Sequence, residues 1–345
     1  MNLKQIANAA GVSVSTVSRA LSGNPRISAE MRRRIVEIAR AQGYVDRRLN
    51  AISQAGLQSI TLISTHGMLE PGGSNFVSWR ILESLRNECA RREIAIEPVI
   101  FEENRIDPRR AFEAARASST DGILLHYDED PELLEKLATL GKPVVLLMGL
   151  DPTSRISSVG VGNSYAASLG TRHLSDLGHR DMLLVSWKGR YTIRRRETGF
   201  VEAARESGMR DPESAILRLS GYEPEIAEAE FDAYLATLTS GIPATAIFCL
   251  SDNIAIGVMR SLAKAGISVP DDMSVVGFDD SIAAQMMSPP LTSIRQPLEQ
   301  IGPMALYELE LANRLGAGYL PRRVELGCSL SVRGSSQPLA RARKG

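Results

Sequence analysis

The sequence predicts an α/β protein: a small helical unit at the N-terminus, then two lobes of parallel sheet flanked by helices. Three observations carry this. Residues 3–24 hold two short amphipathic segments around a glycine. From Ser59 onward, continuous apolar runs alternate with stretches of helical spacing. Such runs imply parallel sheets covered on both faces. The alternation comes as two successive series, and two series imply two lobes. At 345 residues the chain is also long enough for two or three domains.

The N-terminal stretch reads LKQIANAAGVSVSTVSRALSGN. Asn2 caps the first helix, with Gln5 as its capping-box partner, and Ile6, Ala9 and Ala10 fall on one side. Gly11 supplies a positive φ at little cost, and Val12 fills the angle that follows. Ser13 is a good N-cap for the second helix. There Val17, Ala20 and Leu21 point one way, while Val14, Ser15, Ser18 and Arg19 point the other. Helices this short need each other and a third partner. That partner is expected over Ala29–Gln42, between Ser28 as N-cap and Gly43 as stop. The layout is that of a helix-turn-helix, whose second helix enters the DNA major groove. Val14, Ser15, Thr16, Ser18 and Arg19, with Asn24 beyond the helix, are the candidate DNA contacts.

Charge agrees with this division. The chain balances 40 basic against 40 acidic residues, yet residues 1–58 hold nine Lys/Arg and three acids. A basic small unit on an acidic body suits phosphate binding without general adhesion to DNA. Three cysteines without a CxxC read as free thiols in a reducing compartment. With no apolar signal core and no run of about 18 apolar residues, a cytoplasmic protein without membrane contact is expected.

In the body, Ile60–Ser64, Ala95–Phe101, Gly122–His126 and Pro143–Met148 read as strands of the first lobe. Val77–Arg92, Pro108–Ser118 and Pro131–Leu140 are helices between them. The second series has strands near Asp181–Ser186, Ala215–Leu219, Ala246–Leu250 and Ser274–Phe278. Its helices are Tyr165–Leu177, Arg195–Glu206, Pro224–Leu238 and Asn253–Ala265. Enzyme signatures are missing: no GxSxG, no P-loop, no HExxH, and no metal-ligand spacing among four histidines. Gly160-Val-Gly-Asn-Ser-Tyr begins like a dinucleotide loop but lacks its third glycine. No catalytic residue, metal or cofactor is expected.

Residues 3–44, with A-x-x-A-G-V-S-x-x-T-V-S-R-x-L at fixed spacing, resemble the DNA-binding headpiece of the lactose-repressor (LacI) family. Later blocks, among them "RRRETGFVEAARESGM" and "ATAIFCLSDNIAIGVMRSLAKAGISVPDDMSVVGFDD", are similar to that family's periplasmic-binding-protein-like core. The resemblance implies a helix-turn-helix domain over 1–45, a hinge over 46–58 and a two-lobed core over 59–336 that the chain crosses three times. A disordered tail over 337–345 is expected. It also implies a homodimeric repressor on operator DNA, governed by a small sugar-like effector between the lobes.

Site residues follow by motif. Arg196 stands in Arg-x-x-Gly-Phe, where the family's arginine grips ligand hydroxyls or a carboxylate. Asp279 matches the aspartate of Gly-Phe/Tyr-Asp, and Ser251 matches a cleft Asn/Ser position. Phe76 follows a long glycine-rich loop where relatives carry Asn-Pro-Phe/Tyr, and is either a stacking surface or a helix staple. Trp79, Trp187 and Tyr127 are further aromatic candidates. The hinge departs from the family pattern: Asp46 and Arg47 replace Pro and Asn, and the expected wedge leucine is Ser53 or Gln54. Ile52 and Leu57 are the substitute candidates for the minor groove. The alternative is a solute-binding protein or enzyme with an incidental helical domain, which the basic N-terminus disfavours.

Overall fold

A computed structural model describes residues 3–21, 31, 34, 35, 38, 56–69, 75–102 and 105–339. Described residues up to Gln58, with Glu310–Tyr319, form one compact unit, and the remainder of the chain from Ser59 forms another.

In the first unit, α1 (Leu3–Ala10) and α2 (Val14–Leu21) flank Gly11, which has φ of +66°. An added Cβ would meet nothing there, so backbone conformation alone favours glycine. Ser13 caps α2: its Oγ accepts the Thr16 amide at 3.1 Å. The inner face of α1 is Ala7 and Ala10; Ala9, expected inside, is exposed. Three-residue spacing from Ala7 to Ala10 selects the buried face. Val17 is fully buried on α2. Met31, Arg34, Ile35 and Ile38 are helical, with Ile35 buried, where the third helix was expected.

The second unit holds two six-stranded sheets. In the first lobe the order is β11-β5-β4-β3-β1-β2, using β1 (Ser59–Thr65), β2 (Ala95–Phe101), β3 (Gly122–His126), β4 (Val144–Leu147), β5 (Ser157–Val161) and β11 (Arg323–Leu326). In the second lobe the order is β12-β10-β9-β8-β6-β7, using β6 (Met182–Trp187), β7 (Ile216–Leu219), β8 (Ala246–Cys249), β9 (Ser274–Asp279), β10 (Thr292–Arg295) and β12 (Ser329–Ser331). Every pairing is parallel except β10 with β12. The chain moves between sheets three times: after β5, after β10, and between β11 and β12.

The first lobe carries α3 (Phe76–Arg91), α4 (Pro108–Ala117) and α5 (Pro131–Leu137). On the second lie α6 (Asn163–Asp176), α7 (Tyr191–Glu206), α8 (Pro224–Ala236), α9 (Asp252–Lys264) and the short α10 (Ile282–Gln285). A long α11 (Ile301–Leu315) precedes β11. Central strands are buried on both faces, as their unbroken apolar runs require: Leu183, Val185, Ile247 and Val275 pack on one side of the second sheet, Leu184, Phe248 and Val276 on the other.

One end of the chain differs from expectation. The tail from Gln337 is not loose at its start. Gln337 donates its amide to Ser274 Oγ at 3.1 Å, and the Leu339 amide reaches the Leu177 carbonyl at 2.8 Å. His179, between helix and strand, joins this bundle through Thr245, Ser274 and the Gln337 carbonyl. Residues 340–345 lie outside the described residues. Cys89 and Cys249 are buried, Cys328 is half-buried, and all three thiols are free. Among the described residues, no helix is long and apolar enough to cross a membrane.

Candidate functional site

A cavity of about 510 Å³ lies beyond the carboxyl ends of the parallel strands of both lobes. Parallel sheets bind ligands at that end because loops and helix N-termini converge there. Thr65 ends β1, His126 ends β3, Trp187 ends β6 and Asp279 ends β9, and all four line the cavity. Backbone strain collects at the same ends. Tyr127, Met148, Asp279 and Asp280 all have positive φ just at or after a strand. Such conformations cost about 1–3 kcal/mol each and persist where surrounding structure enforces them.

Arg196 is the most constrained side chain in the cavity. Helix α7 begins at Tyr191, earlier than the expected Arg195, so Arg196 falls in its second turn. Gly199, one turn on, lets α7 press against α6; an added Cβ would sit 2.0 Å from the Ser164 carbonyl oxygen. The Arg-x-x-Gly spacing is therefore a packing device that sets the arginine's depth. The guanidinium donates from Nε to Asn163 Oδ1 at 2.9 Å and from one terminal nitrogen to the Leu250 carbonyl at 2.8 Å. It stacks 3.6 Å from the centre of the Phe278 ring and is 5% exposed. Burial pulls its pKa below the ordinary arginine value, and Asp279 opposes that.

Asp279 lies 3.9 Å from Arg196 through Oδ1, which also accepts the Gln296 amide at 2.7 Å. Burial raises this carboxyl above the usual aspartate range, against the attraction of Arg196, and the buried Asp252 adds to the rise. Asp252 is itself structural: it accepts Ser293 Oγ at 2.6 Å and the Ser281 amide at 2.7 Å. Ser251 lines the cavity but also caps α9, accepting the Ile254 amide at 3.2 Å.

Aromatic groups complete the walls. Trp187 and Tyr222 tilt together with centres 5.5 Å apart in the second lobe. Tyr127 of the first lobe carries the Arg190 guanidinium over its ring at 4.2 Å. One further bond joins the lobes: Glu129, after β3, accepts the Tyr191 amide at 3.0 Å. The start of α7 has no side-chain cap of its own, so the other lobe supplies the acceptor.

The structure brings Arg196, Asp279 and Ser251 into one cavity, with Trp187 and Tyr127. It does not bring Phe76 or Trp79 there. Phe76 is the first residue of α3 and half-buried, while its neighbours Asn75, Val77 and Ser78 face the cavity. A helix start presents successive side chains about 100° apart, so the residue beside an expected contact can face away. Several participants were not expected, Tyr222 beside Trp187 among them. Asn163, inside the Gly-Val-Gly-Asn segment that begins like a dinucleotide loop, instead holds Arg196. Gln296 holds Asp279. His126 was expected only as the last residue of a strand. No local signal marks these positions, because each acts through a partner distant in sequence.

In the headpiece, Val14 is 42% exposed and Ser15 is exposed. Thr16 is half-buried, its hydroxyl 2.8 Å from Ser13 Oγ. Ser18 and Arg19 lie on α2, with side chains outside what is described. Asn24 and Ile52 lie outside the described residues. Leu57 is only 6% exposed, so it is not presented as a free wedge; an apolar side chain already removed from water gains nothing by leaving its site.

A helix-turn-helix unit joined to a two-lobed, cleft-bearing body defines a class of DNA-binding regulator. Residues 2–46 match the bacterial regulatory proteins, lacI family, and residues 171–336 match the periplasmic binding protein-like domain. An HTH-type transcriptional regulator in the aml 5′ region of Streptomyces limosus is 30% identical over 315 residues, covering 88% of this chain and 86% of that one. HTH-type transcriptional regulator DegA of Bacillus subtilis (strain 168) is 26% identical over 342 residues, 97% of each chain. In fold, the chain is similar to the transcriptional regulator CelR in its cellobiose complex, with a TM-score of 0.69 at 24% identity over 97% of this chain and all of that one. The protein belongs to the lacI family of bacterial transcription regulators.

Proposed function

We propose that this protein is a repressor that binds a near-palindromic operator as a homodimer and answers to a sugar-like effector held between its lobes. On the DNA side, Val14, Ser15, Thr16, Ser18, Arg19 and Asn24 form the reading surface, with Ile52 as the hinge residue for the minor groove. On the effector side, Arg196 and Asp279 grip hydroxyls, Ser251 borders them, and Trp187 with Tyr222 offers an apolar face to a sugar ring.

The observation that supports this reading best is the buried Arg196–Asp279 pair at a strand end, opening on a cavity with aromatic walls. An uncharged polyol suits such a pair, because a carboxylate accepts two hydroxyl bonds and a guanidinium donates in a planar fork. Likeness to the CelR–cellobiose complex points the same way. Closing the lobes on an effector alters the hinge and hence the spacing of two headpieces.

The test has two arms. Thermal-shift screening of sugars against the full chain should find one that raises the melting temperature. Operator affinity, measured with and without that sugar, should change by roughly 5–150-fold, and operator should change sugar affinity by the same factor. Arg19→Ala should weaken operator binding more than about tenfold with folding intact, since one good base contact is worth roughly 1–3 kcal/mol. Operator affinity unmoved by any bound sugar would refute the regulatory reading.

A further inference from the structure

His126 closes strand β3 and lines the cavity, yet it is only 3% exposed. Its Nδ1 lies 2.9 Å from Ser64 Oγ on the neighbouring strand β1. Ser64 has a single hydroxyl proton, and the Thr65 carbonyl is a second acceptor within its reach at 3.4 Å. With that proton assigned to the carbonyl, Ser64 Oγ accepts from the ring and the proton of a neutral imidazole sits on Nδ1. Burial, with Arg190 nearby, presses the ring's pKa down to about 3 and keeps it neutral. That leaves Nε2 as a bare acceptor, and this atom is buried with no hydrogen-bond partner. An orphaned buried acceptor costs about 1–3 kcal/mol, so its retention in a cavity wall calls for an explanation.

The charges around it narrow the partner. Asp279, Glu102 and Glu223 line the same cavity. Of the cations there, Arg196 is bonded to Asn163 and Leu250 and faces Asp279, His66 faces Glu102 at 3.6 Å, and Arg190 keeps its charge over the Tyr127 ring. Among the described residues, a phosphate or sulfate group would meet three carboxyl groups and, in Arg190, one cation that faces none of them in an ion pair. A neutral hydroxyl meets no such penalty and supplies the proton that Nε2 lacks.

We propose that His126 reads the effector, its bare Nε2 accepting a hydrogen bond from one hydroxyl of an uncharged polyol, and that phosphorylated sugars are excluded. This rests on the sugar reading of the cleft. It adds the first lobe's discriminating contact and the charge class of the ligand.

The test uses the full chain labelled with ¹⁵N in its four histidines, few enough for His126→Gln to identify the His126 signals. Without sugar, His126 should show a neutral ring, protonated at Nδ1 and bare at Nε2. Cellobiose, glucose and ribose are then added separately, with glucose 6-phosphate as the charged control. The neutral sugar that raises the melting temperature should move the Nε2 resonance upfield, as hydrogen-bond donation to a bare nitrogen does. His126→Leu should bind that sugar about tenfold more weakly, the scale of one hydrogen bond. His126→Gln, which keeps an acceptor oxygen, should recover much of the loss. A ring protonated at Nε2 in the free protein overturns the proposal whatever the variants do. A neutral sugar that binds without moving Nε2 overturns it while leaving the sugar reading intact. Binding of glucose 6-phosphate alone overturns the proposal and leaves a sugar-like effector standing; binding of none of these sugars removes both.

Discussion

The two lobes bring different surfaces to the cleft. The second lobe presents groups already tied in place: Arg196 by Asn163 and the Leu250 carbonyl, Asp279 by Gln296, Ser251 by the first turn of α9. The first lobe presents groups with spare capacity: His126 with a buried nitrogen that has no partner, and Tyr127 in a left-handed turn under Arg190. Preorganised groups lose little freedom on binding and supply affinity. Unsatisfied groups at a fixed position reject ligands that cannot satisfy them. On the proposed reading of the cleft, the second lobe is accordingly the anchor and the first lobe the discriminator.

The largest expected effect breaks the anchor. Arg196→Met removes the donor of two hydrogen bonds and leaves Asp279 buried without its cation. Loss of one partner from a buried charged network costs on the order of 3 kcal/mol. Urea unfolding should show that loss, and calorimetric titration should show affinity for the screened sugar down more than about hundredfold. Arg196→Lys should not restore it, because an ammonium cannot bond Asn163 and Leu250 together in the same fork. A drop below tenfold in a folded Arg196→Met protein would move the anchor to the first lobe.

Asp279→Asn tests the same half through pH. Burial raises the folded carboxyl above its unfolded value, so the folded state binds the proton more tightly. Its contribution to stability is full below the ordinary aspartate range near 3.9 and is lost as pH rises toward the raised value. Melting temperature should decline over that window in the wild type and decline less steeply in Asp279→Asn. Some slope should remain, since burial raises Asp252 as well. Sugar affinity should fall about tenfold. Identical pH profiles for the two proteins would show that Asp279 does not carry the slope.

Between the lobes, Glu129 is the next target. Its carboxylate accepts the amide at the start of α7, the helix that carries Arg196, and the Leu150 amide at 3.3 Å. Glu129→Ala removes an acceptor that works as an N-cap supplied from the other lobe. Such caps are worth about 1 kcal/mol, which corresponds to roughly fivefold in sugar affinity. The wild-type value in this variant would mean that the lobes close without that bond.

How far the sequence foretold all this depends on the range of each cause. The second lobe's anchor was legible because its cause is local: one helical turn separates Arg196 from Gly199, and Asp279 follows directly on an apolar strand. The parallel strands were legible because burial on both faces leaves unbroken apolar runs. Strands β10, β11 and β12 were not, since TSIR, RVEL and SLS mix polar residues and carry no such run. His126 was opaque for a different reason. Its ring is held by Ser64, sixty-two residues earlier, through the pairing of β1 with β3. Ala9 and Phe76 were misplaced by rotation alone: helical spacing says which residues share a face, and less about which face turns inward.

The smallest effect sharpens the comparison at the edge of the first lobe. Phe76 starts α3 beside Asn75 and Val77, which line the cavity, while Phe76 itself does not. A stacking role would make the first lobe an anchor too, since ring stacking on a ligand is worth much of an aromatic side chain's burial. Phe76→Leu keeps an apolar, half-buried side chain at the helix start and removes only the ring. Sugar affinity should stay within about twofold of wild type, while melting temperature drops slightly, because a smaller side chain buries less apolar area. A tenfold loss of sugar affinity would place the Phe76 ring against the ligand in the closed state and end the division between anchor and discriminator.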